Sequence, residues 1–241
     1  MPKPLVIAID GPSGAGKSTV ARRLAARLGY SYLETGGMYR AVALLALRTG
    51  TNLHDGVALG RLAEAADIRF QTQPPGNRLL LDGRDVTEAV RAPEVTEAAS
   101  QVSVHPEVRK HLVRRQCELG RGGGVVMEGR DIGTKVFPDA ELKIFLDASQ
   151  EVRGERRFRD PESAGRAASG DVLREMQERD RRDQQRETSP LVPAPDAVRI
   201  DSTRLTAEQV VEKILELVER KRAGANPQIT HKGKSQRHED E

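Results

Sequence analysis

Leu5-Val6-Ile7-Ala8-Ile9-Asp10 runs directly into Gly11-Pro12-Ser13-Gly14-Ala15-Gly16-Lys17-Ser18-Thr19. The first stretch is a continuous apolar run closed by one acid, as expected of a strand buried on both faces. The second has the G-x-x-x-x-G-K-[ST] spacing of a phosphate-binding P-loop, and helical periodicity follows it. Glycines let the backbone curl so that consecutive N–H groups point at phosphate oxygens. The following helix adds the positive end of its dipole. Lys17 reaches the outer phosphates and Ser18 offers a hydroxyl to Mg²⁺. Gly-rich strand–helix turns also arise for packing alone, but here the whole pattern stands between a strand and a helix. Residues 11–19 are therefore expected to hold a nucleoside triphosphate.

The 241-residue chain is long enough for one α/β domain with insertions. Aromatic residues make up only 3% and Trp is absent, so Leu, Val, Ile and Ala must build the core. The single cysteine, Cys117, excludes an intramolecular disulfide and fits a reducing, cytoplasmic setting. No apolar run approaches the roughly 18–20 residues that span a bilayer, and Met1-Pro2-Lys3-Pro4 leads straight into the first strand, so neither membrane segment nor leader is expected. A formal charge of +3 does not by itself imply a nucleic-acid partner. Of the 39 Lys and Arg residues only nine are Lys. Arg presents a planar fork to phosphate and carboxylate, although an Arg-rich genome gives the same bias.

Strands are expected at 5–10, 30–34, 125–128, 142–147 and 198–201. Helices are expected at about 16–28, 35–47, 93–120 and 206–222. Val20, Leu24 and Leu28 form one apolar stripe, and Met38, Val42 and Leu45 another. Alternating strands and helices argue for a parallel sheet covered on both faces. The stretch 53–92 differs. Ile68–Thr72 alternates, Pro74–Asn77 and Asp82-Gly83 are turn signals, and Leu79–Leu81 and Asp85–Thr87 complete a small antiparallel sheet with few core residues. Residues 223–241 have no apolar periodicity and are expected to be a disordered tail.

A P-loop serves switches, motors and kinases. The Asn-Lys-x-Asp segment that reads guanine in switches is absent. Motors need a Walker-B acid and partner interfaces; Glu128, after the apolar Val125–Met127, keeps that option open. Small-molecule kinases need arginines to neutralise charge on the transferred phosphoryl group. Residues 151–186 supply them: Arg153, Arg156 and Arg157 share one helix face, and Arg179, Asp183 and Arg186 another. Two such helices joined by the small-residue stretch 163–170 read as a closing lid, against the alternative of solvated, salt-bridged helices.

The chain resembles the bacterial cytidylate kinases, which make CDP from ATP and CMP, over about residues 4–222. The resemblance rests on I-D-G-P-S-G-A-G-K-S-T at 9–19, T-G-G-M-Y-R at 35–40, D-G-R-D-V-T at 82–87 and S-Q-V-S-V-H-P-E-V-R at 100–109. It continues with E-G-R-D-I-G-T-K-V-F-P-D-A at 128–140, K-I-F-L-D-A-S at 143–149, E-R-D-R-R-D at 178–183, P-L-V-P-A-P-D-A at 190–197 and D-S-T at 201–203. The P-loop is widely shared. The G-R-D-I-G-T segment with F-P-D-A, and R-D-R-R-D, are specific. The resemblance implies an α/β nucleoside-monophosphate-kinase fold: a five-stranded parallel sheet, an acceptor-binding insertion at 53–92 and a lid at 151–186.

It also implies roles. Thr35 and Arg40 would hold the acceptor phosphate, with Arg130 and Arg186. Asp131 would read cytosine, since a carboxylate accepts from the exocyclic amino group and repels the O4 of uracil. Ser100 would share that amino group, and Arg109 would donate to O2 and N3. Arg179 and Asp183 would hold the ribose hydroxyls. Lys17, Arg130, Arg153, Arg156, Arg157 and Arg186 are the candidates for transition-state charge, with ATP and Mg²⁺ at residues 11–19 and Ser18 on the metal. Glu34-Thr35 stands where many members have Asp-Ser, a change that keeps the hydroxyl. A monomeric cytoplasmic enzyme acting on CMP or dCMP, without nucleic-acid or membrane partners, is the expectation. A different acceptor, UMP or a non-nucleotide as in shikimate-type kinases, and an RNA-associated binding protein are the competing readings; the scarcity of aromatics for base stacking argues against the last.

Overall fold

The computed structural model describes residues 4–73, 76–159 and 169–224. Five strands, β1 (Val6–Asp10), β2 (Ser31–Glu34), β6 (Val125–Gly129), β7 (Leu142–Asp147) and β8 (Val198–Asp201), form one parallel sheet in the order β2-β6-β1-β7-β8. Register places Asp10 beside Gly129 and Glu34 beside Glu128. The acids that end these strands therefore gather at the carboxyl edge, the place where open parallel sheets bind ligands.

The central strands β1 and β6 read as nearly uninterrupted apolar runs because both faces are covered, while the edge strands β2 and β8 carry polar residues. On one face Ile7, Ile9, Val126 and Ile144 pack with Val20 and Leu24 of α1 (Lys17–Leu28) and with Val211, Ile214 and Val218 of α8 (Ala207–Arg222). On the other, Ala8, Leu33, Val125 and Met127 meet Val113 and Cys117 of α5 (Pro106–Gly120). Alternate residues of one strand serve opposite layers, as the pleat requires.

A third cluster lies beside the sheet. Met38, Val42 and Ala46 of α2 (Thr35–Thr49) pack with α3 (Gly56–Ala65), α4 (Pro93–Val102) and the antiparallel sheet of β3 (Ile68–Gln73), β4 (Gly76–Leu81) and β5 (Arg84–Asp85). This insertion owns more core than its sequence suggests: Ile68, Leu79, Leu81, Val86 and Val90 are all buried against α2 and its neighbours. The turn at Asp82-Gly83 has positive φ at both residues, 50° and 77°, matching a tight hairpin.

Three details differ from the sequence expectation. The helix expected over 93–120 breaks at Ser103–His105, because Pro106 has no N–H to donate and disfavours helical geometry at His105. Helix α3 was not expected; the Asp55 side chain caps it by accepting from the Ala58 N–H at 2.9 Å. The third small strand is Arg84–Asp85 rather than 85–87. Most of the 163–170 stretch, half of the Pro74–Asn77 turn and tail residues 225–241 lie outside the described residues.

Candidate active site

One cavity of about 760 Å³ opens along the carboxyl edge of the sheet. The P-loop, the first turns of α1 and α2, helices α4 and α5, and α6 (Gln150–Phe158) and α7 (Ser169–Gln185) all contribute to its walls. Its P-loop end is lined by Ser13–Val20, and Leu205, Thr206 and Ala207 from the start of α8 stand beside them. At the opposite end lie Ser100, Arg109 and Asp131. The arginines 40, 130, 157, 179 and 186 line the space between.

At the P-loop, Lys17 is buried and its Nζ donates to the Pro12 carbonyl at 2.7 Å. Burial pushes its ammonium down to about 7, and the neighbouring Arg130 guanidinium adds to the fall. Ser18 donates to the Glu128 carboxylate, which burial holds above the usual range even though Lys17 opposes it. Tyr32 Oη donates to the same carboxylate at 3.1 Å.

The middle of the cavity concentrates positive charge. Thr35 Oγ1 donates to the Glu128 carbonyl at 2.8 Å, which fixes its hydroxyl at the start of α2. Arg40 forms an ion pair with Glu34. Burial works against the charged form of Glu34, but Arg40 outweighs it and keeps the carboxyl below its usual range. Arg130 Nε donates to Asp183 Oδ2 at 2.8 Å. Arg179 is lowered to about 10, first by burial and then by the like charges of Arg130 and Arg157, with Asp183 opposing. Like-charged guanidiniums crowded into a buried cavity favour an anion between them.

At the far end Arg109 and Asp131 form a buried ion pair, with Arg186 Nη2 3.7 Å from the other Asp131 oxygen. Arg109 also donates to the Ser103 carbonyl at 3.2 Å and lies over the Tyr39 ring, 5.4 Å from its centroid. The residue run Gly129-Arg130-Asp131 leads into a wide turn, Ile132–Val136, where Val136 and Phe137 donate five residues back to Asp131 and Ile132. Such π-type turns are frequent at functional sites. Ser100 Oγ accepts from Arg182 Nη1 at 2.9 Å, a contact between α4 and α7.

The structure thus brings Ser13–Thr19, Thr35, Arg40, Ser100, Arg109, Arg130, Asp131, Arg157, Arg179, Asp183 and Arg186 to one cavity, which Gly11 and Pro12 do not line. Arg156 lines it too, and donates to Ser202 Oγ and O at 2.9 and 2.8 Å, tying α6 to the loop before α8. Arg153 is directed elsewhere: it meets the Ala148 and Ser13 carbonyls and Asp180, on the outer side of the P-loop. Sequence reading passed over Asp10, Asp180, Arg182 and the Ser202 contact. Asp10 accepts from the Ile132 and Gly133 N–H groups, both at 2.8 Å, and so anchors the loop that carries Arg130 and Asp131. Its position after an apolar strand was the available signal. Asp180 and Arg182 lie inside the E-R-D-R-R-D motif at 178–183, but nothing local distinguishes a charge that crosses to another element from a solvated one.

The family model described as Cytidylate kinase matches residues 7–220. A cytidylate kinase of Geobacillus kaustophilus (strain HTA426) is 50% identical over 219 residues, covering 90% of this chain and 98% of the relative. One of Solibacter usitatus (strain Ellin6076) is 51% identical, covering 90% and 93%. Among solved structures, a gluconokinase from Sinorhizobium meliloti 1021 superposes with a TM-score of 0.49 at 17% identity, covering 93% of this chain and 97% of that one. With a family match across nearly the whole described chain and half of all aligned residues identical to its curated relatives, the chain belongs to the cytidylate kinase family.

Proposed function

We propose that this protein transfers the γ-phosphoryl group of ATP to CMP or dCMP, giving CDP or dCDP and ADP. The observation that carries the reading is the single cavity that joins the P-loop to the buried Arg109–Asp131 pair across a field of arginines. The donor sits on Gly11–Thr19, with its base toward Leu205–Ala207. The acceptor phosphate lies among Thr35, Arg40, Arg130 and Arg186, its ribose against Arg179 and Asp183, and its base against Ser100, Arg109 and Asp131.

Asp131 accepts from the exocyclic amino group of cytosine, and Arg109 donates to its ring acceptors. Uracil presents O4 to the same carboxylate and is repelled. The acceptor phosphate already carries a nucleophilic oxygen, so catalysis reduces to alignment and charge neutralisation. Lys17, protonated once phosphate arrives, and Arg130, Arg156, Arg157 and Arg186 supply positive charge around the transferring group.

The residues present suit Mg²⁺: the Ser18 hydroxyl and the buried Glu128 carboxylate are hard oxygen donors side by side. They would hold the ion, which when bound draws electron density from the β- and γ-phosphate oxygens.

The reading extends to the whole chain. Residues 53–92 serve as the acceptor-binding insertion and 151–186 as the lid, with 223–241 a tail outside the kinase domain. The enzyme works as a cytoplasmic monomer on small molecules rather than on nucleic acid or at a membrane. No helix among the described residues is long and apolar enough to cross a membrane.

The test is ADP release with ATP·Mg²⁺ against CMP, dCMP, UMP, AMP and GMP. Turnover confined mainly to CMP and dCMP is expected. Preference for UMP or AMP would keep the chemistry and overturn the base site, and no turnover with any of them would overturn the kinase reading.

A further inference from the structure

The apex of the P-loop is gripped by two charged side chains, Arg153 and Asp180, that do not themselves line the cavity, although Asp180 acts electrostatically on Lys17 and Arg130, which do. Asp180 Oδ1 accepts the Ser13 N–H at 3.2 Å, and Arg153 Nη1 donates to the Ser13 carbonyl at 3.0 Å. Both polar groups of one peptide residue are thus taken by partners distant in sequence. Arg153 also donates through Nε to the Ala148 carbonyl at 3.1 Å, just past the end of β7, and pairs with Asp180. Arg153 and Asp180 are only 6% and 8% exposed. The backbones are seated equally closely: a Cβ on Gly14 would fall 2.6 Å from the Arg153 carbonyl oxygen.

Asp180 stands on α7 directly after Arg179 and three residues before Asp183, both of which line the cavity. One helix therefore carries acceptor-facing groups and, on its adjacent stripe, the anchor of the donor loop. A single helical turn moves as a unit, so any shift of α7 shifts both.

We propose that Arg153 and Asp180 are a positioning pair that registers the P-loop against α7, setting the separation of the donor and acceptor phosphates without touching either. In-line transfer is sensitive to such registration, since a misplacement of about 1 Å can cost about 100-fold in rate. The proposal rests on the phosphoryl-transfer reading, for which the wild-type rate with CMP is the control.

The experiment compares wild type, Asp180→Asn, Arg153→Lys and the double variant, with rates normalised to ATP-binding sites counted by calorimetry. Asp180→Asn keeps an acceptor for the Ser13 N–H and removes the charge that Arg153 pairs with. Arg153→Lys keeps the charge and removes the fork that spans two carbonyls. Each single variant is expected to lower kcat per binding site by about 10- to 100-fold, while the ATP dissociation constant and the KM for CMP stay within about 3-fold. The double variant is expected to lose no more than the worse single one, because both changes break the same unit. A kcat per site within about 2-fold of wild type in either variant overturns the proposal, whatever happens to stability. So do multiplicative losses in the double variant, which would mean that Arg153 acts on the phosphoryl group itself. If one single variant yields no folded protein, the other reads the same quantity.

Discussion

Arg109 and Asp131 meet in an ion pair in the cavity wall, their side chains only 3% and 7% exposed. A charge pair so deeply buried gains its Coulomb energy against a large desolvation cost, so it is a weak device for stability. Under the proposed function it serves recognition instead, each partner holding a fixed charge for the edge of a base.

Asp131→Asn removes the charge that repels the O4 of uracil and supplies an amide N–H that can donate to it. A base contact of this kind is worth about 1–3 kcal/mol, so the ratio of kcat/KM for CMP over UMP is expected to fall by roughly 10- to 100-fold. Steady-state kinetics with both acceptors measures it. An unchanged ratio would remove Asp131 from base discrimination.

Asp10 presents a different kind of control. Burial raises its carboxyl to about 6 from an ordinary 3.8, with the Gly133 and Ile132 N–H groups opposing the rise. A carboxyl whose folded pKa is raised contributes stability that is fully present below the unfolded value and lost as pH rises through the folded one. Wild type is therefore expected to gain on Asp10→Asn in thermal stability as pH falls from about 7 to about 4. A gap that stays constant over that window contradicts the raised value. Asp10→Asn also leaves one buried N–H facing an NH₂, at about 1–3 kcal/mol, and should raise the KM for CMP more than that for ATP.

Lys17 lies at about 7 in the free protein, lowered first by burial. A folded pKa below the unfolded 10.5 means that its contribution to stability is present at high pH and lost as pH falls through about 7. Arriving phosphates supply the missing counter-charge and raise it again. Binding of ATP at about pH 8 should therefore take up close to one proton, and Lys17→Arg should not show it. Calorimetry in buffers of different ionisation enthalpy reads this directly.

Helix α3 packs so closely on α5 that a Cβ on Gly60 would lie 2.7 Å from the Cβ of Glu107. Gly60→Ala is expected to overpack this contact by about 1–3 kcal/mol, offset in part by about 1 kcal/mol of helix propensity. A net loss in denaturant midpoint is the expected result. Gly122→Ala, whose Cβ would meet nothing within 4 Å, is the control and should stay within about 0.5 kcal/mol.

Much of the architecture was legible because its signals are local. Val20, Leu24 and Met38 announce buried helix faces by spacing alone, and the five strands expected of the main sheet are the five of the parallel sheet. The insertion was legible as a small antiparallel sheet, but α3 was not, because Gly56 and Gly60 lower its helical signal and its cap, Asp55, resembles any turn residue. Likewise Pro106 divides in two a stretch whose apolar spacing continues on either side of it.

By itself the sequence determined the donor loop and the strand–helix alternation, since each lies within short contiguous stretches whose backbone chemistry is self-contained, whereas roles for Ser100, Arg109 and Asp131 came only from the resemblance to a family. Only the tertiary structure decided which charges face the cavity and which hold it in place. Arg156 and Arg157 line it while Arg153, on the same helix, turns to the Ser13 carbonyl and to Asp180, and Asp10 reaches across to Ile132 and Gly133. Asp180 and Ser13 are 167 residues apart and Asp10 and Gly133 are 123 apart. A buried charge is directed by the partner that offsets its desolvation, and that partner is brought near only when the chain has folded.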